Sequence, residues 1–328
     1  MIHGRKRIVG ALIGFATILS VSLVPMTPTH AEPDIDDVQA RVDKLYHQAE
    51  QASERYNDAR LKLKELKAEL AVLRADQARQ QAEVAEMQTA IDRTIVAQYE
   101  GQSLSATGQL VIADDPGQFL TELTTVDAFN EIQAQAVQDR AKAAEALAIR
   151  KEATAAHVKE LAATKKALGK EKATIEEKHS EAEGLLDELK AEERAASVSR
   201  GGFSGRLPDV AASGRAGAAV EYALNQVGDS YVYGAAGPDA FDCSGLTMMA
   251  WAQAGVGLPH SSGAQQGSGS PVSSSSLQPG DLVFYYSPVS HVGIYIGGGK
   301  IVHAANPSTG VQITGVHSMP YSGAVRPG

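Results

Sequence analysis

The sequence predicts an α+β domain carried behind a long all-α antiparallel coiled-coil hairpin. Three observations predict it. Apolar residues recur every three or four positions from Ile35 to Ile91, with no Pro or Gly before Gly101. A second helical run follows from about residue 117 to 196. Beyond residue 200 glycine becomes dense, the sole Trp (Trp251) appears, and helices give way to strands, the order of an α+β domain.

The first 31 residues read as a removable leader. Arg5, Lys6 and Arg7 precede an apolar run over residues 8–24, and Thr29-His30-Ala31 offers small residues where a signal peptidase cuts, after Ala31. Pro25 and Pro28 favour cleavage over a membrane anchor of borderline length. The expected location is therefore the extracellular cell envelope. The chain's formal charge is −9, and loss of those three basic residues takes it to −12. Such a balance argues against nucleic acid and against purely electrostatic attachment to an anionic surface.

Residues 32–196 form the coiled coil. Its first seam runs through Val38, Val42, Leu45, Ala49, Ala52, Tyr56, Ala59, Leu63, Leu66, Leu70 and Leu73, then on to Val84, Met87 and Ile91. At 1.5 Å per residue this helix would span roughly 100 Å. The returning seam reads Val158, Leu161, Leu168, Ile175, Ala182, Leu186 and Leu189, with Lys165, Lys172 and His179 at core-type positions that cost stability and can fix register. The connection from Leu104 to Phe129 is more apolar than a solvated tip requires. It either packs back on the helices or docks a partner. His47, His157 and His179 lack the ligand spacing of a metal site.

Residues 197–214 are rich in Ser, Gly and Ala and read as a flexible linker; the last domain occupies residues 215–328. Helices are expected over residues 216–227 and from Cys243 to about 254. Strands are expected over 281–286, 291–296, 300–305 and 311–316.

Cys243 is the only cysteine. In an oxidising compartment a lone thiol is buried and inert, linked to a second chain, or reactive. A helix N-terminus favours the thiolate. A thiol nucleophile also needs a base and a group to orient that base. His260, His291, His303 and His317 are the candidates. If Gly297-Gly298-Gly299 is a three-residue hairpin loop, Gly293 pairs with His303, and His291 and His303 share a face. A two-residue loop would set them on opposite faces.

The segments Phe241-Asp242-Cys243-Ser244-Gly245-Leu246, Pro279-Gly280-Asp281-Leu282-Val283-Phe284 and His291-Val292-Gly293-Ile294-Tyr295-Ile296, with His303-Ala304, resemble the motifs of NlpC-type peptidoglycan endopeptidases, which are papain-like cysteine peptidases. The resemblance implies Cys243 as nucleophile, His291 as general base, His303 as the orienting residue and Tyr231 near the oxyanion site. It implies that Asp242 and Ser244 hold the free amine of a peptidoglycan stem peptide, cut after D-glutamate, with no cofactor or metal. Tyr231-Val232-Tyr233-Gly234-Ala235 and Leu258-Pro259-His260-Ser261-Ser262 depart from the family's pattern on the substrate side, where His260 and Ser261 are read as substrate contacts. His317 is expected in a surface turn.

The helical half is similar to coiled coils of division-associated wall hydrolases. That resemblance implies docking on an FtsEX-type membrane complex through the Leu104 to Phe129 segment. An amidase or acyltransferase on the same fold, and a non-catalytic wall-binding adaptor, are the competing readings. The long arm is expected to restrain activity, by covering the cleft or by holding the enzyme with its partner.

Overall fold

A computed structural model describes residues 35–100, 116–188 and 212–328. The leader, residues 104–115 of the apolar connection and most of the linker lie outside them. Two helices build the arm: α1 (Ile35–Tyr99, 65 residues) and α2 (Pro116–Glu188, 73 residues). They run antiparallel, with Arg55 paired to Glu171, Lys62 to Glu160, and Glu69 to His157. Exposed ion pairs of this kind each contribute only about 0.2–1 kcal/mol. Burial of Val38, Val42, Leu45 and Ala182, flanked by Leu185 and Leu186, anchors the open end of the hairpin. Toward the other end the seam loosens, and Ile95, Val96, Tyr99 and Ile132 are exposed.

The last domain begins with α3 (Gly214–Asn225), followed by the short parallel pair β1 (Ser230–Tyr231) and β2 (Ala240–Phe241), then α4 (Cys243–Gln253) and the single turn α5 (Ser262–Gln265). Six antiparallel strands follow: β3 (Ser270–Pro271), β4 (Leu282–Tyr285), β5 (His291–Gly297), β6 (Lys300–Asn306), β7 (Gly310–Gly315) and β8 (Tyr321–Arg326). Their order in the sheet is β3-β8-β4-β5-β6-β7. Helices α3 and α4 cover one face, packing Val220, Leu246 and Trp251 against Leu282, Phe284, Val292 and Ile294. On the other face Val283, Tyr285, Ile301, Val316 and Ala324 form a second cluster. The run Leu-Val-Phe-Tyr of β4 is buried throughout, as a strand covered on both faces requires.

The β5–β6 hairpin differs in detail from the expected one. Gly297 pairs with Lys300, so the loop has two residues, Gly298 and Gly299, at φ +60° and +70°. Positive φ at both is what a type I′ turn needs, and glycine adopts it without a Cβ clash. A bulge between Tyr295 and Gly297 then shifts the register by one, and Ile294 pairs with Val302. Opposite Gly293 this leaves His303, the alignment that a three-residue loop would have given. Strands β3 and β8 carry no strand signal in the sequence. β3 is two residues long, and β8 carries Ser322 and Gly323 where strand formers are expected.

Candidate active site

The cleft lies where the N-terminus of α4 meets the start of β5. Asp242 is the N-cap: its Oδ1 accepts from the Gly245 N–H at 2.6 Å, and Oδ2 accepts from the Gly234 N–H at 2.9 Å. A capping carboxylate of this kind is worth about 1 kcal/mol to the helix. Cys243 therefore sits in the first helical position, 1 % exposed, with its thiol near the Val292 backbone N–H and the Ser290 carbonyl.

His291 opens β5, and its Nε2 lies 2.7 Å from His303 Nδ1, with the rings nearly perpendicular. His303 Nε2 in turn lies 3.0 Å from the Thr314 hydroxyl on β7. Burial, and then the charge of His291, pushes His303 well below the usual histidine range, so it is neutral. A neutral His303 that donates to Thr314 from Nε2 offers a lone pair at Nδ1. That lone pair fixes an N–H at His291 Nε2 and leaves Nδ1 as the nitrogen available to the thiol, whose sulfur lies within 4.8 Å of a His291 ring nitrogen. Thr314 was missed from sequence, because its role appears only once β6 and β7 are in register.

Gly293 makes this meeting possible. A Cβ there would stand 3.2 Å from the His303 Cβ and 2.9 Å from Ile301 Cδ1. Gly293→Val is expected to displace His303, lowering kcat at least ~10-fold with a smaller change in KM. Steady-state kinetics beside a thermal melt checks this; an unchanged kcat in a folded variant would remove the packing argument.

The cleft is occupied by α1. Its Tyr46, Glu50, Glu54 and Asn57 form a stripe at three- and four-residue spacing, with Tyr46 at its edge packed also beside Ala182 and His179 of α2. Glu50 Oε1 lies 2.5 Å from His291 Nδ1. Glu54 accepts from the Ser244 hydroxyl at 2.8 Å, and from both the backbone N–H and the hydroxyl of Ser262. Asn57 donates to Asp242 at 3.2 Å, Asp58 accepts from Ser261 at 2.5 Å, and the Tyr46 carbonyl accepts from Tyr233 at 3.4 Å.

This face reverses the expected thiol electrostatics. The helix N-terminus alone would favour a thiolate, but burial, reinforced by the charges of Glu54, Glu50 and Asp242, pushes Cys243 well above the ordinary thiol value. Burial pushes Glu50 up too, yet the charge and hydrogen bond of His291, with help from His47, outweigh it and hold Glu50 below the carboxylate range. A carboxylate at Nδ1 can only accept, so Nδ1 carries the proton and cannot take one from the thiol. Burial and then Asp242 raise Glu54 to about 7.

The structure brings Cys243, His291, His303 and Tyr231 to one cleft. Tyr231 is 5 % exposed, and its hydroxyl has no hydrogen-bond partner among the described residues. Burial, then Glu50 and Cys243, keep it a phenol and hence a donor. Of the residues read as substrate contacts, Asp242 and Ser244 line the same cleft. His260 is held 2.8 Å from Asp242, and Ser261 caps α5, accepting from the Ala264 N–H at 3.1 Å. His317 is exposed in the turn after β7.

A helical arm laid across an α+β domain whose helix-borne Cys faces a His-His pair defines a class, and comparison with known proteins agrees with it. The model of the NlpC/P60 family matches residues 228–325. A probable endopeptidase of Mycobacterium tuberculosis is 31 % identical over 95 % of this chain and 94 % of its own length. One from Corynebacterium glutamicum is 48 % identical over 33 % of this chain and 52 % of that protein. Among solved structures, the NlpC/p60 domain of the peptidoglycan hydrolase SagA is 34 % identical over 34 % of this chain and 97 % of that chain, at a TM-score of 0.32. NlpC2 of Trichomonas vaginalis is 27 % identical over 38 % of this chain, which spans 50 % of that one, at a TM-score of 0.34. The chain belongs to the NlpC/P60 family.

Proposed function

We propose that the chain is a peptidoglycan hydrolase of the cysteine type, which cuts the stem peptide after D-glutamate in the cell envelope and serves wall remodelling or daughter-cell separation. The observation that carries it is the Cys243–His291–His303 cluster, in a chain matched over nearly its whole length by relatives named probable endopeptidases. With α1 out of the cleft, His291 Nδ1 takes the thiol proton. Cys243 attacks the peptide carbonyl, and Tyr231 donates to the oxyanion. The His291 proton passes to the leaving amine, and water releases the acyl group from the thioester. Asp242 and Ser244 would hold the free amine of the stem peptide, with His260 and Ser261 behind them.

In the docked state α1 blocks proton transfer and attack, by filling the cleft and by holding a proton on Nδ1 against the Glu50 carboxylate. A partner that pulls the arm away would switch the enzyme on. An FtsEX-type membrane complex would dock on the Leu104 to Phe129 segment, at the end of the hairpin remote from the cleft, where Ile95, Val96, Tyr99 and Ile132 are also exposed.

Purified muropeptides incubated with the full chain and with a Glu50→Lys variant that frees the cleft test the reading, with products resolved by mass spectrometry. Fragments ending in D-glutamate, lost with Cys243→Ala in the Glu50→Lys background, are expected. Product masses that show amide or acyl-transfer chemistry would replace the bond assignment. No Cys243-dependent product would sink the hydrolase.

A further inference from the structure

The docked arm completes a set of ligands that neither half of the protein holds alone. A Glu50 carboxylate oxygen, the Cys243 sulfur and a ring nitrogen of His291 all lie within 4.8 Å of one another, all three residues are buried, and it is Nδ1 that faces Glu50. Glu50 and His291 are 241 residues apart in sequence, which is why no motif spacing announces the set. Oxygen, sulfur and imidazole nitrogen are the donors zinc takes in three-ligand sites, at about 2.0–2.3 Å. Small side-chain rotations would close the set on one ion. The thiol and imidazole disfavour magnesium and calcium.

Two further observations point to a cation. Glu50, Glu54 and Asp242 are all buried at this spot, and among the described residues no Lys or Arg is buried. A dication bound by one thiolate and one carboxylate would offset that excess of negative charge. The second shell is also in place. A metal on Nδ1 needs the opposite ring nitrogen to donate, and Nε2 already faces His303 Nδ1, itself tied to Thr314. A cavity of about 310 Å³ that touches Glu50 and His291 leaves room for water as the fourth ligand. Tyr231, whose hydroxyl has no partner among the described residues, lines the same cavity.

We propose that Glu50, Cys243 and His291 form a zinc site that locks the arm onto the cleft. Binding expels the protons of the Cys243 thiol and of Nδ1 to solvent, so the metal takes both the nucleophile and the base. The site itself stands whether or not Cys243 is a nucleophile. Only its inhibitory effect rests on the hydrolase reading.

The test uses the full chain, reduced and stripped of metal, with Co²⁺ as a spectroscopic probe and Zn²⁺ in competition. One equivalent of Co²⁺ should produce a thiolate-to-cobalt charge-transfer band that Zn²⁺ abolishes. Glu50→Gln should weaken Zn²⁺ binding at least ~10-fold, and Cys243→Ser should remove the band, with circular dichroism and melting reporting that both variants fold. Zn²⁺ should also slow amide exchange along α1 in the wild type and not in Glu50→Gln. A band with unchanged affinity in Glu50→Gln would place the ion away from the arm and overturn the lock. Binding that survives Cys243→Ser at full strength would overturn the site. Muropeptide turnover that fails in every variant while these metal signals persist would sink the hydrolase reading alone.

Discussion

Glu50→Lys is expected to raise turnover by the full chain at least ~10-fold. Glu50 is the arm residue against His291, and its carboxylate is stabilised there by the ring it blocks. Removing one member of a buried charge pair costs about 3–5 kcal/mol, and a lysine adds repulsion toward the imidazole. That cost falls on the docked state alone, since an undocked Glu50 faces water. Docking should therefore weaken by more than two orders of magnitude, and the observed gain is limited only by how much enzyme is already open. Initial rates on muropeptide, read beside amide exchange along α1, check it. Lost protection in α1 without a faster rate would mean that the arm covers the cleft without restraining it.

The second large effect is on pH. Glu54 has an ordinary value of 4.5 and is raised to about 7 in the docked arm, so docking binds an extra proton. A group raised on docking contributes fully below its free value and loses that contribution as pH rises through the docked value. Docking should thus weaken between about pH 4.5 and pH 7. A rise from 4.5 to about 7 corresponds to a change on the order of a few hundredfold. Glu50 has the opposite sign: its lowered value stabilises docking above 4.5, and that is lost on further acidification. The arm should hold most tightly near pH 5. Glu54→Gln, neutral at every pH, should dock at least as well as the wild type and flatten the profile. The ratio of wild-type to Glu54→Gln rates should rise from pH 5 to pH 8. A constant ratio would show that Glu54 does not titrate on docking.

The catalytic half was legible because its signals are local. Asp242-Cys243 reads as a cap and a first helical turn, and alternation places His291 and His303 on strands. His291 and His303 share the expected face by a different loop: a two-residue turn and a bulge at Ile296 sum to the shift that three loop residues would give. A bulge leaves no mark in the sequence beyond an extra residue, so the two cannot be told apart there. β8 was invisible because a strand of Tyr-Ser-Gly-Ala-Val-Arg is held by its neighbours β3 and β4 rather than by its own propensity.

The larger omission was the second face of α1. Tyr46, Glu50, Glu54 and Asn57 fit the solvated side of a heptad helix, where acidic residues are the rule. Only the tertiary fold sets them against Ser244, Asp242 and His291. Helix α1 therefore had one legible face, the seam, and one that depends on a domain nearly two hundred residues further along the chain.

Carrying the seam and the cleft plug on two neighbouring faces of one unbroken 65-residue helix makes α1 a torsion rod. Side-chain tips ride about 5–6 Å from a helix axis, so a roll of ~30° swings them by roughly 3 Å. That displacement exceeds the 2.5 Å separation of Glu50 and His291 and would part every contact along the stripe at once. No bending is required, and α1 and α2 can stay paired if they turn together. A partner gripping the hairpin near Tyr99 could open the cleft by twisting the arm, delivering the signal as rotation along a rigid shaft.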